Sequence, residues 1–175
     1  LYKKFANKQL VLIDPLDEAE HFFDLNMKKK NAIFFKTALG DKTENAIINV
    51  ENNMDRSTIL EVSDINFEGD PIDKRTVPLK RLDDVVGNLG LSKIGIKIDT
   101  EGYELNVIKG ARKTLKKTKF VLAEVRHNHE SFKGVYKMHE FIKEMTDNGF
   151  VLTMIITAKP FIADLCFEPK NELFE

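Results

Sequence analysis

The sequence predicts an α/β domain whose sheet is mostly parallel and ends in an antiparallel pair of strands. Short apolar runs alternate with helical patterns along the chain, which is typical of β-α-β units. In addition, Ile94–Glu104 has the pattern of a buried strand that ends at Asp99 and turns through Glu101 and Gly102 into a helix. Because 175 residues match the size of one domain, we treat residues 1–175 as a single domain.

The first half of the chain contains a strand, a helix and a second strand, followed by a segment that is hard to assign. Leu10–Ile13 is a short apolar run, and Asp14-Pro15 ends it before a helical pattern over Leu16–Lys29. Acidic residues begin this helix and lysines end it, an order that suits the helix dipole. Ala32–Ala38 is the next predicted strand. For the segment from Lys42 to Lys80 we expect a hairpin or a lid.

The second half alternates helices and strands more regularly. The predicted helices are Leu82–Leu89, Tyr103–Lys117 and Val135–Asn148, and the predicted strands are Ile94–Asp99, Phe120–Val125, Val151–Thr157 and Ile162–Phe167. Lys159-Pro160 allows a tight return between the last two strands, so we expect that pair to be antiparallel.

Composition excludes several classes of partner. The net charge of −1 gives no long-range attraction to nucleic acid or to an anionic membrane. No apolar run approaches the roughly 20 residues of a membrane span, and the first residues lack the apolar core of a secretory signal. The single cysteine, Cys166, cannot form an intrachain disulfide, which fits a reducing compartment. We predict a cytoplasmic protein that binds neither nucleic acid nor membrane; the oligomeric state stays open.

Four motifs resemble those of the FkbM-type methyltransferases. They are Val77–Asp84, Lys97–Glu104, Gly110-Ala111 and Ala123–Val125, and the matching order and spacing extend from Leu10 nearly to the C-terminus. The Lys-Ile-Asp-x-Glu-Gly-x-Glu segment is the most specific of them. The resemblance implies a Rossmann-like class I methyltransferase fold, S-adenosylmethionine as cofactor, and methyl transfer to a hydroxyl of a sugar or another small natural product.

One motif of such enzymes is absent from the sequence. The resemblance implies a first strand and a glycine-rich turn that cradles the methionine end of the cofactor, whereas the nine glycines here include no G-x-G cluster. Leu1–Lys8 resembles the end of the helix that follows that turn, and Asp14-Pro15 falls where the second strand of the family ends. We therefore expect that the first strand and most of the first helix are missing, and that the chain is a fragment of a longer enzyme.

The resemblance assigns the nucleoside of the cofactor to two places. Asp14 would accept hydrogen bonds from both ribose hydroxyls, as acidic residues do in nucleotide-binding Rossmann sites. Alternatively, Asp14 only caps the helix that follows it. Ala38 and Leu39 would contact the adenine through a backbone amide and an apolar side chain, unless they form no more than a turn before a hairpin.

Asp99 and Glu101 form the predicted transfer site, because ligands of open α/β sheets bind at the carboxyl ends of strands. They can orient the sulfonium or the amino end of the cofactor, hold a metal, or take the proton of the substrate hydroxyl. A purely structural role at the positive end of the next helix accounts for Glu104 but not for Asp99. We predict both Asp99 and Glu101 as catalytic, and Asp99 also as a cofactor contact.

The loop after the Phe120–Val125 strand supplies the remaining candidates. His127 is the predicted proton acceptor because imidazole titrates near neutral pH, and His129 is the alternative. Both fit an exposed polar loop equally well. Together with the two acidic residues above they can bind a divalent cation, but the spacing matches no strong metal signature, so we predict no metal.

The acceptor is the least determined part of the prediction. By resemblance, the segment around Ser57-Thr58 covers the substrate, although a solvated loop is equally consistent. The alternative function is a non-catalytic methyltransferase-like module for binding or assembly. The absent glycine-rich turn favours that module, and the intact acidic run at Asp99 favours the enzyme. An unrelated flavodoxin-like nucleotide-binding domain has no visible phosphate loop to support it.

Overall fold

The computed structural model describes residues 8–27, 30–51, 56–62, 73–126 and 132–172. The strands are β1 (Leu10–Ile13), β2 (Ala32–Phe35), β3 (Ala38–Leu39), β4 (Glu44–Val50), β5 (Glu61–Val62), β6 (Asp73–Lys80), β7 (Ile94–Ile98), β8 (Thr118–Arg126), β9 (Phe132–Lys133), β10 (Phe150–Ala158) and β11 (Ile162–Pro169). The helices are α1 (Asp17–Asn26), α2 (Leu82–Val86), α3 (Glu104–Lys109), α4 (Arg112–Leu115) and α5 (Met138–Asp147). A short 3-10 helix, Lys170–Glu172, follows the last strand.

Four strands form the largest sheet, in the order β10-β11-β8-β7. β7 and β8 are parallel, with Ile98 opposite Ala123. β11 is antiparallel to both β8 and β10, and the Lys159 N–H donates to Ile162 O at 2.8 Å in the turn between β10 and β11. The predicted antiparallel pair near the end of the chain is therefore confirmed.

The other strands form three smaller sheets. β1 and β2 are parallel, β6 is parallel to β3 and antiparallel to β4, and β5 is antiparallel to β9. The α/β class is thus confirmed, but the described strands do not form the single, mostly parallel sheet that the sequence predicts. The cause lies in the segment from Lys42 to Lys80: it contributes β4, β5 and β6 with no α-helix among its described residues. Parallel neighbours need a long crossover, usually a helix, whereas β4 and β6 pair in the antiparallel direction.

Helices α3 and α5 pack on the largest sheet and bury the larger of two apolar cores. Phe141 and Met145 lie four residues apart on α5, so they share one face, and both are fully buried with Ile108 of α3. A smaller core lies around β3, β4 and β6 and includes Ala38 and Leu79. Among the described residues, no helix combines the length and apolar composition that crossing a membrane requires.

The helix predicted over Tyr103–Lys117 is divided at Gly110 into α3 and α4. A Cβ atom at Gly110 would overlap the carbonyl oxygen of Gly40, so only glycine allows the two backbones to approach. Asp83 then holds the start of α4, because its carboxylate accepts hydrogen bonds from Lys113 N and Thr114 N at 2.9 and 2.7 Å. The apolar periodicity does not reveal this break, since both short helices contribute residues to the same core.

Candidate functional site

The carboxyl ends of β1, β7 and β8 border one cavity of about 1250 Å³. Strand β3, the start of α1, residues 56, 57 and 59, and the turn between β10 and β11 complete its lining. The predicted site residues that line it are Asp14, Ala38, Leu39, Asp99 and Glu101. Five residues from three distant segments of the sequence therefore meet at one site. His127, the predicted proton acceptor, lies outside the described residues.

Asp14 ends β1 with one of its two carboxylate oxygens already engaged. Oδ1 accepts a hydrogen bond from Leu16 N at 2.9 Å, in a turn directly before α1. Burial raises the pKa of the Asp14 carboxyl, and the bond from Leu16 opposes that rise. The helix-start role considered for this residue is therefore compatible with ligand binding, because the described structure gives Oδ2 no hydrogen bond.

The loop after β7 is built around Glu104, which is 1% exposed. Its Oε1 accepts hydrogen bonds from Thr100 N, Thr100 Oγ1 and Gly102 N at 2.9, 3.0 and 3.1 Å. Its Oε2 accepts one from Tyr136 Oη at 2.7 Å. The sequence predicts Glu104 only as a negative charge at the start of a helix, whereas in the structure its carboxylate fixes the path of the loop. It is thus a positioning residue for the acidic side chains on either side of Thr100.

Glu101 adopts a backbone conformation that is uncommon for a residue with a Cβ atom. Its φ is 51°, and the Thr58 hydroxyl holds its peptide by donating to Glu101 O at 2.8 Å. Gly102 follows with a φ of 98°, which glycine adopts without strain. This turn places the Glu101 side chain against Arg126 at the end of β8, and the two form an ion pair in a largely buried environment.

Arg126 is a site residue that the sequence analysis did not single out. It lines the cavity, is 9% exposed, and its Cζ atom lies 5.1 Å from the ring centroid of Phe132. Burial lowers the pKa of its guanidinium, and the positive charge of Arg56 lowers it further. Its Nε is buried and donates no hydrogen bond to any residue in the described part of the chain. The ion pair with Glu101 therefore satisfies only part of the guanidinium.

Asp99, Glu101 and Glu124 form an acidic wall on one side of the cavity. One oxygen from each carboxylate lies within 4.8 Å of the other two. Lys97 Nζ lies 3.0 Å from Asp99 Oδ2, so two of the three carboxylates have a cationic partner. Burial, and then the negative charge of Asp99, raise the pKa of the Glu124 carboxyl. Within the described ranges, Glu124 has neither a hydrogen bond nor an ion pair through its side chain.

Three carboxylates at this spacing are also suitable donors for a hard divalent cation. The charge balance favours another role, because Arg126 and Lys97 already neutralise two of the three. We therefore assign no metal to the acidic wall, and the absence of a metal stays a prediction.

Aromatic side chains cover the part of the cavity that adjoins α1. Phe22, Phe23 and Phe34 line it there, and the rings of Phe23 and Phe34 lie 5.3 Å apart between centroids. The cavity thus combines apolar surface suited to a planar group with carboxylates that favour positive charge and accept hydrogen bonds from hydroxyls. This chemistry fits a ligand that is part aromatic base, part polyol and part cation.

The chain matches one protein family over most of its length. The family's model, described as the methyltransferase FkbM domain, matches residues 2–152. No curated protein matches the sequence significantly. The matched range includes β1 to α5 and every loop that carries the acidic wall, and it ends inside β10. The resemblance drawn from the motifs is therefore confirmed.

Proposed function

Because the chain belongs to the FkbM methyltransferase family, we propose that it transfers a methyl group from S-adenosylmethionine to a hydroxyl of a small molecule, such as a sugar or another natural product. The family membership supports the reaction class, and the convergence of the predicted residues on one cavity supports the location. We further propose that the parallel pairs β1–β2 and β7–β8 and the antiparallel pair β10–β11 belong to a Rossmann-like sheet of class I type.

The nucleoside end of the cofactor is proposed to lie between β1 and β3. Asp14 would accept hydrogen bonds from the ribose hydroxyls through Oδ2 while Oδ1 keeps its bond from Leu16. Ala38 and Leu39 would contact the adenine, and the apolar surface of Phe23 is available to the same ring system. The support is positional, since these residues line the part of the cavity that adjoins α1.

The cofactor supplies an electrophilic methyl group on a positively charged sulfur. In the transfer, the bond from the acceptor oxygen to the methyl carbon forms as the sulfur–carbon bond breaks, and the hydroxyl proton must leave. We propose that Asp99 and Glu101 lie beside the positive charge. Lys97 and Arg126 already offset the charges of Asp99 and Glu101. The two carboxylates would therefore act mainly by positioning the reacting groups, and correct positioning is a large part of the catalysis of such a displacement.

Glu124 is the proton acceptor that we propose within the described part of the chain. Its carboxylate lines the cavity, has no described partner, and has a raised pKa, which brings a carboxylate closer to the value at which it accepts a proton effectively near neutral pH. His127, from the sequence prediction, remains the alternative proton acceptor. A cytoplasmic location also stays a prediction.

Binding of S-adenosylhomocysteine, measured by calorimetry, tests the cofactor assignment. Asp14→Asn keeps an oxygen for Leu16 but loses the charge, and losing charge-assisted hydrogen bonds should weaken binding about 10- to 100-fold. Asp147→Asn, an exposed change at the end of α5, is the matched control and should bind like the wild type. Equal binding by both variants would exclude the ribose role and leave Asp14 a helix-start residue.

The same titration, repeated on a longer protein wherever upstream coding sequence exists, separates the enzyme from the non-catalytic module. Binding by the longer protein alone supports the fragment expectation, and binding by neither supports the module.

Methyl-transfer assays on a responsive hydroxyl acceptor test the proton acceptor. Glu124→Gln should lower kcat by about 10²–10⁴-fold with little change in the affinity for S-adenosylhomocysteine, because general base catalysis is typically of that size. His127→Gln, measured in parallel, should leave kcat nearly unchanged. The reverse result would transfer the role to His127.

A further inference from the structure

Two arginines line the same cavity as the acidic wall. Arg126 is buried, and Arg56 on the segment before β5 is half exposed; both line the cavity. After burial, the positive charge of Arg56 is the next cause that lowers the pKa of the Arg126 guanidinium. Like charges repel each other, and the repulsion is stronger in a partly buried site than in water.

The acidic residues nearby compensate these two charges incompletely. Glu101 pairs with one side of Arg126, and the described residues offer no acceptor to its buried Nε. Glu51 forms an ion pair with Arg56, but its Oε2 lies 3.8 Å from Arg56 Nε, which is longer than a hydrogen bond. A buried donor without an acceptor costs free energy. The two guanidinium groups therefore retain N–H donors for one more oxygen ligand.

On the basis of the proposed function, we propose that Arg56 and Arg126 form an anion subsite, and that the methylated acceptor carries a carboxylate or phosphate group in addition to its hydroxyl. Guanidinium groups present planar forks of donors that match the oxygens of such anions. The hydroxyl would then face Glu124 on the acidic wall, and the anionic group would face the two arginines at the same end of the cavity. Lys159 and Phe161 line this region as well.

The same oxyanion chemistry has a second source, the carboxylate of the cofactor's methionine part. The experiment separates the two sources by using ligands with and without that carboxylate. Inorganic phosphate serves as the probe for the subsite. It is titrated calorimetrically into the chain alone, into the chain saturated with S-adenosylhomocysteine, and into the chain saturated with methylthioadenosine, which lacks the amino acid part.

We expect saturable phosphate binding in all three conditions, weakened about tenfold or more by Arg56→Gln because one charge-assisted contact is lost. Arg56→Lys should recover part of the affinity. Arg81→Gln is the matched control: Arg81 is an exposed arginine that binds Asp84 outside the cavity, so its loss should change nothing. Arg126 is buried and paired, so Arg126→Gln is expected to unfold the chain, and the half-exposed Arg56 carries the test.

Three results would overturn the proposal or redirect it. Phosphate binding that is absent, or unchanged in Arg56→Gln, removes the subsite. Phosphate binding that S-adenosylhomocysteine abolishes and methylthioadenosine does not would assign the arginines to the cofactor carboxylate instead of the acceptor. If neither nucleoside binds while phosphate still binds through Arg56, the proposed function fails and the anion subsite stands.

Discussion

Removing the hydroxyl of Tyr136 tests whether Glu104 fixes the loop that carries the acidic wall. Tyr136 is 7% exposed, and its hydroxyl is the one donor to Glu104 Oε2 among the described residues. Tyr136→Phe keeps the ring, which stacks on Phe141 with 5.7 Å between centroids, and leaves a buried carboxylate oxygen without a donor. A buried acceptor that loses its partner costs about 1–3 kcal/mol, with charged groups at the upper end. We therefore expect the free energy of unfolding to fall by about 2–3 kcal/mol.

Urea denaturation followed by circular dichroism measures this change, with Tyr103→Phe as the matched control. Tyr103 loses the same atom from a partly exposed position, and among the described residues its hydroxyl makes no hydrogen bond to Glu104, so its free energy of unfolding should change by no more than about 0.5 kcal/mol. The folded fraction of Tyr136→Phe should also bind S-adenosylhomocysteine more weakly, because the loop positions Asp99. Equal denaturation midpoints for Tyr136→Phe and its control would refute the role assigned to Glu104.

Three further changes test the packing, the electrostatics and the edge of the structure. Gly110→Ala should lower the free energy of unfolding by about 1–3 kcal/mol or more, because the new Cβ meets the backbone of Gly40. The control is Gly90→Asn, because Gly90 has a φ of 64° and open space around it; this variant should unfold in urea like the wild type. Glu124→Gln should stabilise the chain at neutral pH. The raised pKa means that the folded state holds the Glu124 proton more tightly than the unfolded state does. The stability of the wild type therefore falls as the pH rises from the ordinary pKa of 4.5 through the raised pKa of the folded state. Urea denaturation at several pH values should show that the wild type and Glu124→Gln become equally stable in acid. Ile155→Lys, on the exposed edge strand β10, should change the free energy of unfolding by no more than about 0.5 kcal/mol relative to the wild type. It should also reduce self-association, measured by size-exclusion chromatography. A clear loss of stability would instead show that Ile155 is packed.

Local patterns in the sequence were sufficient for the elements whose apolar residues are periodic. The strands β7, β8 and β11 and the helix α5 lie at or near their predicted positions, because each buries a regular apolar face. Asp14 and Asp99 could be placed at one site for a related reason: both follow a strand, and the carboxyl ends of parallel strands open toward the same edge. The segment from Lys42 to Lys80 has no such periodicity, so the sequence predicts a hairpin or a lid there but not which strands pair with β4, β5 and β6.

The partners within the site depend on register, which no local pattern contains. Ile98 lies opposite Ala123 in the parallel ladder, and this pairing brings Glu124 and Arg126 next to the loop that begins at Asp99. One residue of slip would turn each of these side chains to the other face of the sheet. The buried role of Glu104 likewise depends on Tyr136, which is 32 residues away in the sequence. Sequence reasoning therefore identified the acidic loop but not the groups that hold and neutralise it.

Two unsatisfied groups among the described residues, on Glu124 and Arg126, indicate what the cavity is suited to bind. Asp99 has Lys97 and Glu101 has Arg126, whereas the Glu124 carboxylate and the Arg126 Nε have no described partner. Unpaired polar groups in a partly buried site cost stability unless a ligand satisfies them. A hydroxyl donates to a carboxylate, and an anionic group accepts from a guanidinium, so one acceptor that carries both would satisfy both groups at once. Neither group alone would achieve this, so on our proposal the combination, rather than the acidic wall by itself, would select the substrate.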